Sequence, residues 1–209
     1  MQGYEAIRPR LKTGDVVLFS GRAPVSRLIQ WVTGGPWSHV GLIVRLREFD
    51  DAVMLWESTT LTDVSDVQRG RPVRGVQLVP LSQRLVQYDG DVAVRQLHRP
   101  LTFGQRDRLA ALRHRLSRRP YEQRELELLR SAIDLVGPPN REDLSSVFCS
   151  ELVAEAYQAM GLLAEPPDGP PSNEYTPMDF AEARSDRLSL RRRQRLGPEI
   201  TVGQPAVRC

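Results

Sequence analysis

Five short apolar runs, Val16–Phe19, Ser38–Leu46, Ala52–Ser58, Val76–Leu81 and Asp91–Leu97, all lie before residue 98, and the longest helical patterns follow. Strands first and main helices later describe an α+β chain with a sheet of about five strands. A helix-like stretch, Pro24 to Val32, interrupts the strands, with Leu28, Ile29 and Val32 on one side and Gly34-Gly35-Pro36 as its stop. Thr102 opens a helix over about Phe103 to Leu116, with Leu109, Leu112 and Leu116 as its buried positions, and a second is expected over about Gln123 to Val136. A polar stretch, Ser82 to Gly90, separates the last two strands.

Two of the strands carry a polar residue each in an otherwise apolar run: His39 near the entrance of one and Glu57 near the exit of the other. Pairing them about a turn centred near Glu48 sets residue 39 opposite residue 57, on one face, with Cβ atoms about 5 Å apart. A slip of one residue would send the two to opposite faces. Taken singly, each also fits a solvated strand end.

The chain has two cysteines, and the internal one, Cys149, lies at the start of a helical pattern. Leu152, Val153, Ala156 and Met160 follow it at helical steps and form the inner stripe, while Glu151, Glu155 and Gln158 take the outer face. Ser145 or Ser146 can cap the start, and Gly161 can end the helix in a left-handed turn. In the first turn, a thiolate would meet the positive end of the helix dipole, and the Cys149 N–H could donate to a developing oxyanion. The plainer alternative is a small hydrophobe in the core. Thiol chemistry needs a nucleophile, a base and a group to orient the base, and Cys149, His39 and Glu57 are the candidates.

A chain of 209 residues, 40% hydrophobic, supports one domain with its own core, here residues 10–182. The densest basic run, Arg187 to Arg195, falls in residues 183–209, read as a solvated basic tail. No aromatic residues interleave it, so nucleic acid is not an expected partner, whereas membrane contact and oligomeric state stay open. Met1 to Leu11 holds no apolar signal core, no run approaches the roughly 18 residues of a membrane span, and cysteine is scarce. The expectation is a cytoplasmic protein. The sequence shows no phosphate-binding glycine loop and no metal-ligand spacing, so neither cofactor nor metal is expected. His98 and His114 read as surface residues.

The order Gly14-Asp15-Val16-Val17-Leu18-Phe19, Trp37-Ser38-His39-Val40-Gly41-Leu42-Ile43-Val44, Trp56-Glu57-Ser58 and Phe148-Cys149-Ser150-Glu151-Leu152-Val153 resembles the permuted papain-like amidases of the NlpC-like superfamily. The resembling branch includes the YiiX and YaeF proteins and is related to lecithin:retinol acyltransferase; Ser172 to Pro177 also looks like it. The histidine strand precedes the cysteine helix, as in the permuted group. The resemblance implies a circularly permuted papain-like fold, an antiparallel sheet or partial barrel packed on the cysteine helix. It further implies Cys149 as nucleophile, His39 as general base and acid, and Glu57 as orienting residue.

Trp37, Ser38 and Tyr175 are candidates for the substrate cleft. The function implied is hydrolysis of an amide bond in a peptide or small molecule through an acyl-thioester. A lipid acyltransferase or thioesterase, and a binding protein with a quiet site, are the alternatives. The polar loop Glu165 to Pro177, and the arginines near the short helix at Pro24, suit a small polar amide better than a lipid tail.

Overall fold

The computed structural model describes residues 1–117 and 145–203. Seven strands form one sheet: β1 (Gln2–Gly3), β2 (Val16–Gly21), β3 (His39–Arg45), β4 (Val53–Thr59), β5 (Gly75–Pro80), β6 (Gly90–Arg95) and β7 (Ile200–Gly203), in the order β1-β7-β6-β2-β3-β4-β5. All neighbours are antiparallel except β1 and β7, which run parallel. The five expected strands are therefore consecutive members, from β6 to the edge strand β5, and the expected antiparallel five-stranded sheet is corrected by an added strand pair. β1 and β7 are too short for alternation to reveal them. The strand β7 lies inside the segment read as a basic tail, and Leu188 and Leu196 of that segment are buried, so as far as Gly203 it is built into the fold.

Among the described residues five α-helices accompany the sheet: α1 (Tyr4–Ile7), α2 (Pro24–Thr33), α3 (Leu81–Gln87), α4 (Phe103–Ser117) and α5 (Ser145–Ala159). Alternation along each strand sorts its side chains onto two cores. On one face Val16, Leu18, Val40, Leu42 and Trp56 meet Leu109 and Leu112 of α4 and Leu152, Val153, Ala156 and Met160 of α5. On the other, Val17, Phe19, Ile43 and Leu55 meet Tyr4 and Ile7 of α1 and Leu81 and Leu85 of α3. Helix α3 occupies the stretch read as polar, because Leu81 and Leu85 one turn apart supply a buried edge.

Local chemistry sets the boundaries. Thr102 and Gln105 form a reciprocal cap at the start of α4, with Thr102 N–H donating to Gln105 Oε1 at 2.9 Å and Gln105 N–H to Thr102 Oγ1 at 3.4 Å. Leu109 and Leu112 are buried as expected, and Leu116 packs at the core's margin. Pro24 opens α2 and Gly34, at φ 66°, closes it. Only Ile29 of its expected inner side is buried, while Leu28 and Val32 face solvent. The helix expected over Gln123 to Val136 lies outside the described residues.

Candidate active site

Helix α5 packs on β3 and β4 through the stripe that begins at Cys149, and Gly161, at φ 67°, follows its end in the expected left-handed turn. The Tyr157 hydroxyl donates to Gly14 O at 2.8 Å, fastening the helix to the turn before β2. The Asp15 carboxylate accepts from Lys12 N–H at 2.8 Å and Leu97 N–H at 2.9 Å, and thereby joins that turn to the end of β6. Gln158, expected outside, is buried, and its amide donates to Ala164 O and Pro170 O, both at 2.9 Å.

The helix starts at Ser145, so Cys149 is its fifth residue rather than a member of the first turn. In an α-helix the fifth N–H bonds to the carbonyl of the first, which commits the Cys149 N–H to the helix and removes it as the expected oxyanion donor. The dipole's effect, confined to the terminal turn, is weakened at the sulfur as well.

His39 is the first residue of β3, directly opposite Phe19 of β2, with the two rings 5.3 Å apart. Its Nε2 lies 2.7 Å from Glu57 Oε2. The imidazole is also hydrogen-bonded to Cys149, which leaves Nδ1 as the ring nitrogen toward the sulfur. As the strand's first residue, His39 can reach round the end of the sheet to the helix on the other face. The structure thus brings Cys149, His39 and Glu57 into one buried chain of contacts.

The register that achieves this differs from the turn arithmetic. Leu42 pairs with Trp56 and Val44 with Met54, so, continued one step, Gly41 faces Glu57 and His39 sits diagonally from it. The shift is two residues, which preserves the face. Gly41 makes the diagonal contact possible: a Cβ there would come within 2.7 Å of Leu55 Cδ1 and 3.3 Å of Glu57 Cβ.

Sequence reasoning missed the supports of Glu57. Arg84 of α3, fully buried, donates from Nε to Glu57 Oε1 at 2.9 Å, with Nη2 at 2.8 Å from the same oxygen. Gln77 Nε2 donates to Oε1 at 3.2 Å. Arg84 also pairs with Asp63 through Nη1. Glu57 Oε2 is thereby left to face the imidazole. The signal available was Arg84 standing between Leu81 and Leu85 on one helical edge, an arginine among core positions that demands a buried carboxylate.

The electrostatics follow from this layering. Burial alone would raise the pKa of Glu57, but the charge of Arg84, then the hydrogen bond and charge of His39, hold it below its ordinary value. Burial alone would lower the pKa of His39; the negative charge of Cys149 and its hydrogen bond, followed by Glu57, raise it instead to about 9. A single imidazole held between a sulfur and a carboxylate is an arrangement that thiol chemistry can use.

The three cleft candidates have internal partners. Ser38 Oγ accepts from Gly21 N–H at 3.1 Å, donates to Phe19 O at 3.3 Å, and is hydrogen-bonded to Tyr88. It pins the strand end that carries His39. The Trp37 indole N–H donates to Glu199 Oε1 at 3.1 Å, and the ring is buried. Tyr175 is buried beside Phe180, and its carbonyl accepts from Ser150 Oγ at 2.6 Å, anchoring the loop to the residue after Cys149.

Among the described residues, no group of three or more His, Cys, Asp or Glu side chains is placed to hold a metal ion. No family model matches the chain, and no curated protein matches it. Among solved structures, the chain is similar to the metalloprotein yiiX of Escherichia coli O157:H7, at 20% identity, over 92% of this chain and 97% of that one, with a TM-score of 0.49.

Proposed function

We propose that this protein is a cysteine-dependent hydrolase of an amide bond, peptide-like or isopeptide-like, with Cys149 as nucleophile, His39 as general base and acid, and Glu57 as the group that orients the imidazole. The observation that carries this reading is a single imidazole held between a sulfur and a carboxylate that is itself clamped by a buried arginine. In the first half-reaction the Cys149 thiolate adds to the carbonyl carbon, the carbon–nitrogen bond breaks, and His39 gives its proton to the departing amine. The acyl group is then a thioester on Cys149. In the second, neutral His39 takes a proton from water, the resulting hydroxide adds to the thioester, and the carbon–sulfur bond breaks to release the acid. Glu57 stays ionised throughout and stabilises the imidazolium. Trp37 and Tyr175 wall the substrate side.

Intact-mass spectrometry after incubation with a panel of amide and ester probes tests this. The expected result is an acyl adduct on Cys149 that disappears in Cys149→Ala and forms far more slowly in His39→Ala. No adduct with any probe, or adducts confined to Cys209, would overturn it.

A second reading, transfer or hydrolysis of a lipid acyl group, is favoured by one observation: Leu28, Trp31 and Val32 are exposed on α2, which leads into the His39 strand. A specificity constant that climbs with acyl chain length would select this reading over the small polar amide.

A further inference from the structure

Helix α2 has two apolar faces, and the protein covers one of them. Ile29 turns inward, and the Gln30 amide donates to Ser20 Oγ at 3.2 Å and Gly21 O at 3.1 Å, fixing the helix to the end of β2. Leu28, Trp31 and Val32, at steps of three and four, form a continuous outer stripe with exposures of 46%, 80% and 69%. Isolated surface hydrophobics are ordinary, whereas an aromatic and two aliphatics in one stripe mark a surface that is covered by something else.

The charges around the stripe identify the cover. Helix α2 contains Arg27 and no acidic residue; Arg27 is exposed and has no acidic partner among the described residues. At the other end Arg184 donates to Thr33 O, and Arg184 and Arg187 both lie 3.9 Å from one carboxylate oxygen of Asp179. Arg187 is exposed there, although Glu182 and Asp186 stand in the same segment, so the charge the helix itself carries is that of Arg27. A second copy docked about a two-fold axis would bring these arginines against their own equivalents, which disfavours self-association. A basic helix with an outer Trp and aliphatic stripe has instead the composition that rests in a headgroup boundary, apolar side chains toward the acyl region and arginines on anionic phosphates.

We propose that α2 docks this protein on an anionic lipid bilayer, with Leu28, Trp31 and Val32 entering the headgroup boundary and Arg27, Arg184 and Arg187 meeting the phosphates. Among the described residues no helix is long and apolar enough to cross a membrane, so the contact is peripheral. The turn after α2 leads directly to His39, so the docked helix adjoins in the chain the strand that carries the candidate base. The docking does not depend on the chemistry at Cys149.

The test uses the 209-residue chain with phosphatidylcholine vesicles, with and without phosphatidylglycerol, followed by co-sedimentation and tryptophan emission. Trp37 and Trp56 are buried, so a blue shift reports Trp31. Binding is expected on the anionic vesicles. It falls by about tenfold or more in a Leu28→Gln/Trp31→Gln/Val32→Gln variant, and by about fivefold in Arg27→Gln, on the anionic vesicles alone. An unchanged unfolding midpoint confirms that each variant is folded. The proposal is overturned if the wild-type chain stays in the supernatant with both vesicles, or if the triple variant binds as well as wild type. It is also overturned if sedimentation velocity without lipid shows a dimer that the triple variant abolishes, since the stripe then serves a second copy.

Discussion

Arg84 and Glu57 form a fully buried ion pair, Nε to Oε1 at 2.9 Å, and the carboxylate's other oxygen is the one that meets His39. Removing one partner of such a pair strands a charge in the core. Arg84→Met is expected to destabilise the fold by about 3–5 kcal/mol, and Arg84→Met/Glu57→Gln by clearly less, because the buried carboxylate charge is removed together with its guanidinium partner. Urea denaturation of the three proteins measures both. Glu57, with its lowered pKa, contributes stability above its unfolded value that is lost as pH falls through the folded one. Arg84→Met is therefore expected to lose the acid-side decline of the wild-type curve, and an unchanged decline would count against the pairing.

The His39 shift predicts the alkaline side. A histidine raised from 6.5 to about 9 on folding contributes stability that is fully present below its unfolded pKa and is lost as pH rises through about 9. The wild-type unfolding midpoint should therefore fall between these values. Hydrolysis should fail over the same upper limb, as the proton for the leaving amine disappears. In Cys149→Ala the sulfur's charge and hydrogen bond are gone, so the imidazole titrates lower, which NMR of the ring protons detects directly.

Gly41 keeps the space that Glu57 crosses. A methyl group there meets Leu55 and the Glu57 Cβ, so Gly41→Ala is expected to cost about 1–3 kcal/mol through overpacking. It also displaces the carboxylate from His39 and slows iodoacetamide modification of Cys149 at neutral pH. Unchanged alkylation with a changed midpoint would show that the site does not depend on this gap.

Ser150→Ala removes the 2.6 Å bond to the Tyr175 carbonyl and leaves a buried acceptor unsatisfied. The expected loss is about 1–3 kcal/mol. Hydrogen exchange is expected to rise specifically in the short helical turn Ser172–Glu174 and in Tyr175, the segment that Ser150 holds.

Periodicity carries strands and helix faces, which is why Val40, Leu42 and Val44 on one side and the Cys149–Met160 stripe on the other were legible. The meeting of His39 with Glu57 survived a register misread by two residues because a strand repeats every two; a misread by one would have separated them. What a single chain does not display is the long-range complement. Arg84 is 27 positions from Glu57, and β7 joins a sheet whose previous strand ends at Arg95. Arg84 leaves one local sign, an arginine between Leu81 and Leu85 on a helical edge, and β7 leaves none. The spacing of Leu28, Ile29 and Val32 was legible, but which side of α2 faces inward depends on how Gln30 is anchored to β2.

The parallel pairing of Gln2 with Val202 and Gly3 with Gly203 makes the beginning and the end of the sheet neighbours in space. A short linker between them, with a new opening in the segment between β6 and α4, would yield a chain in which Cys149 is synthesised before His39 while neither residue moves. Nucleophile-first and base-first are then two cuts of one ring, and the order in which the ribosome delivers the parts is independent of the machine they assemble.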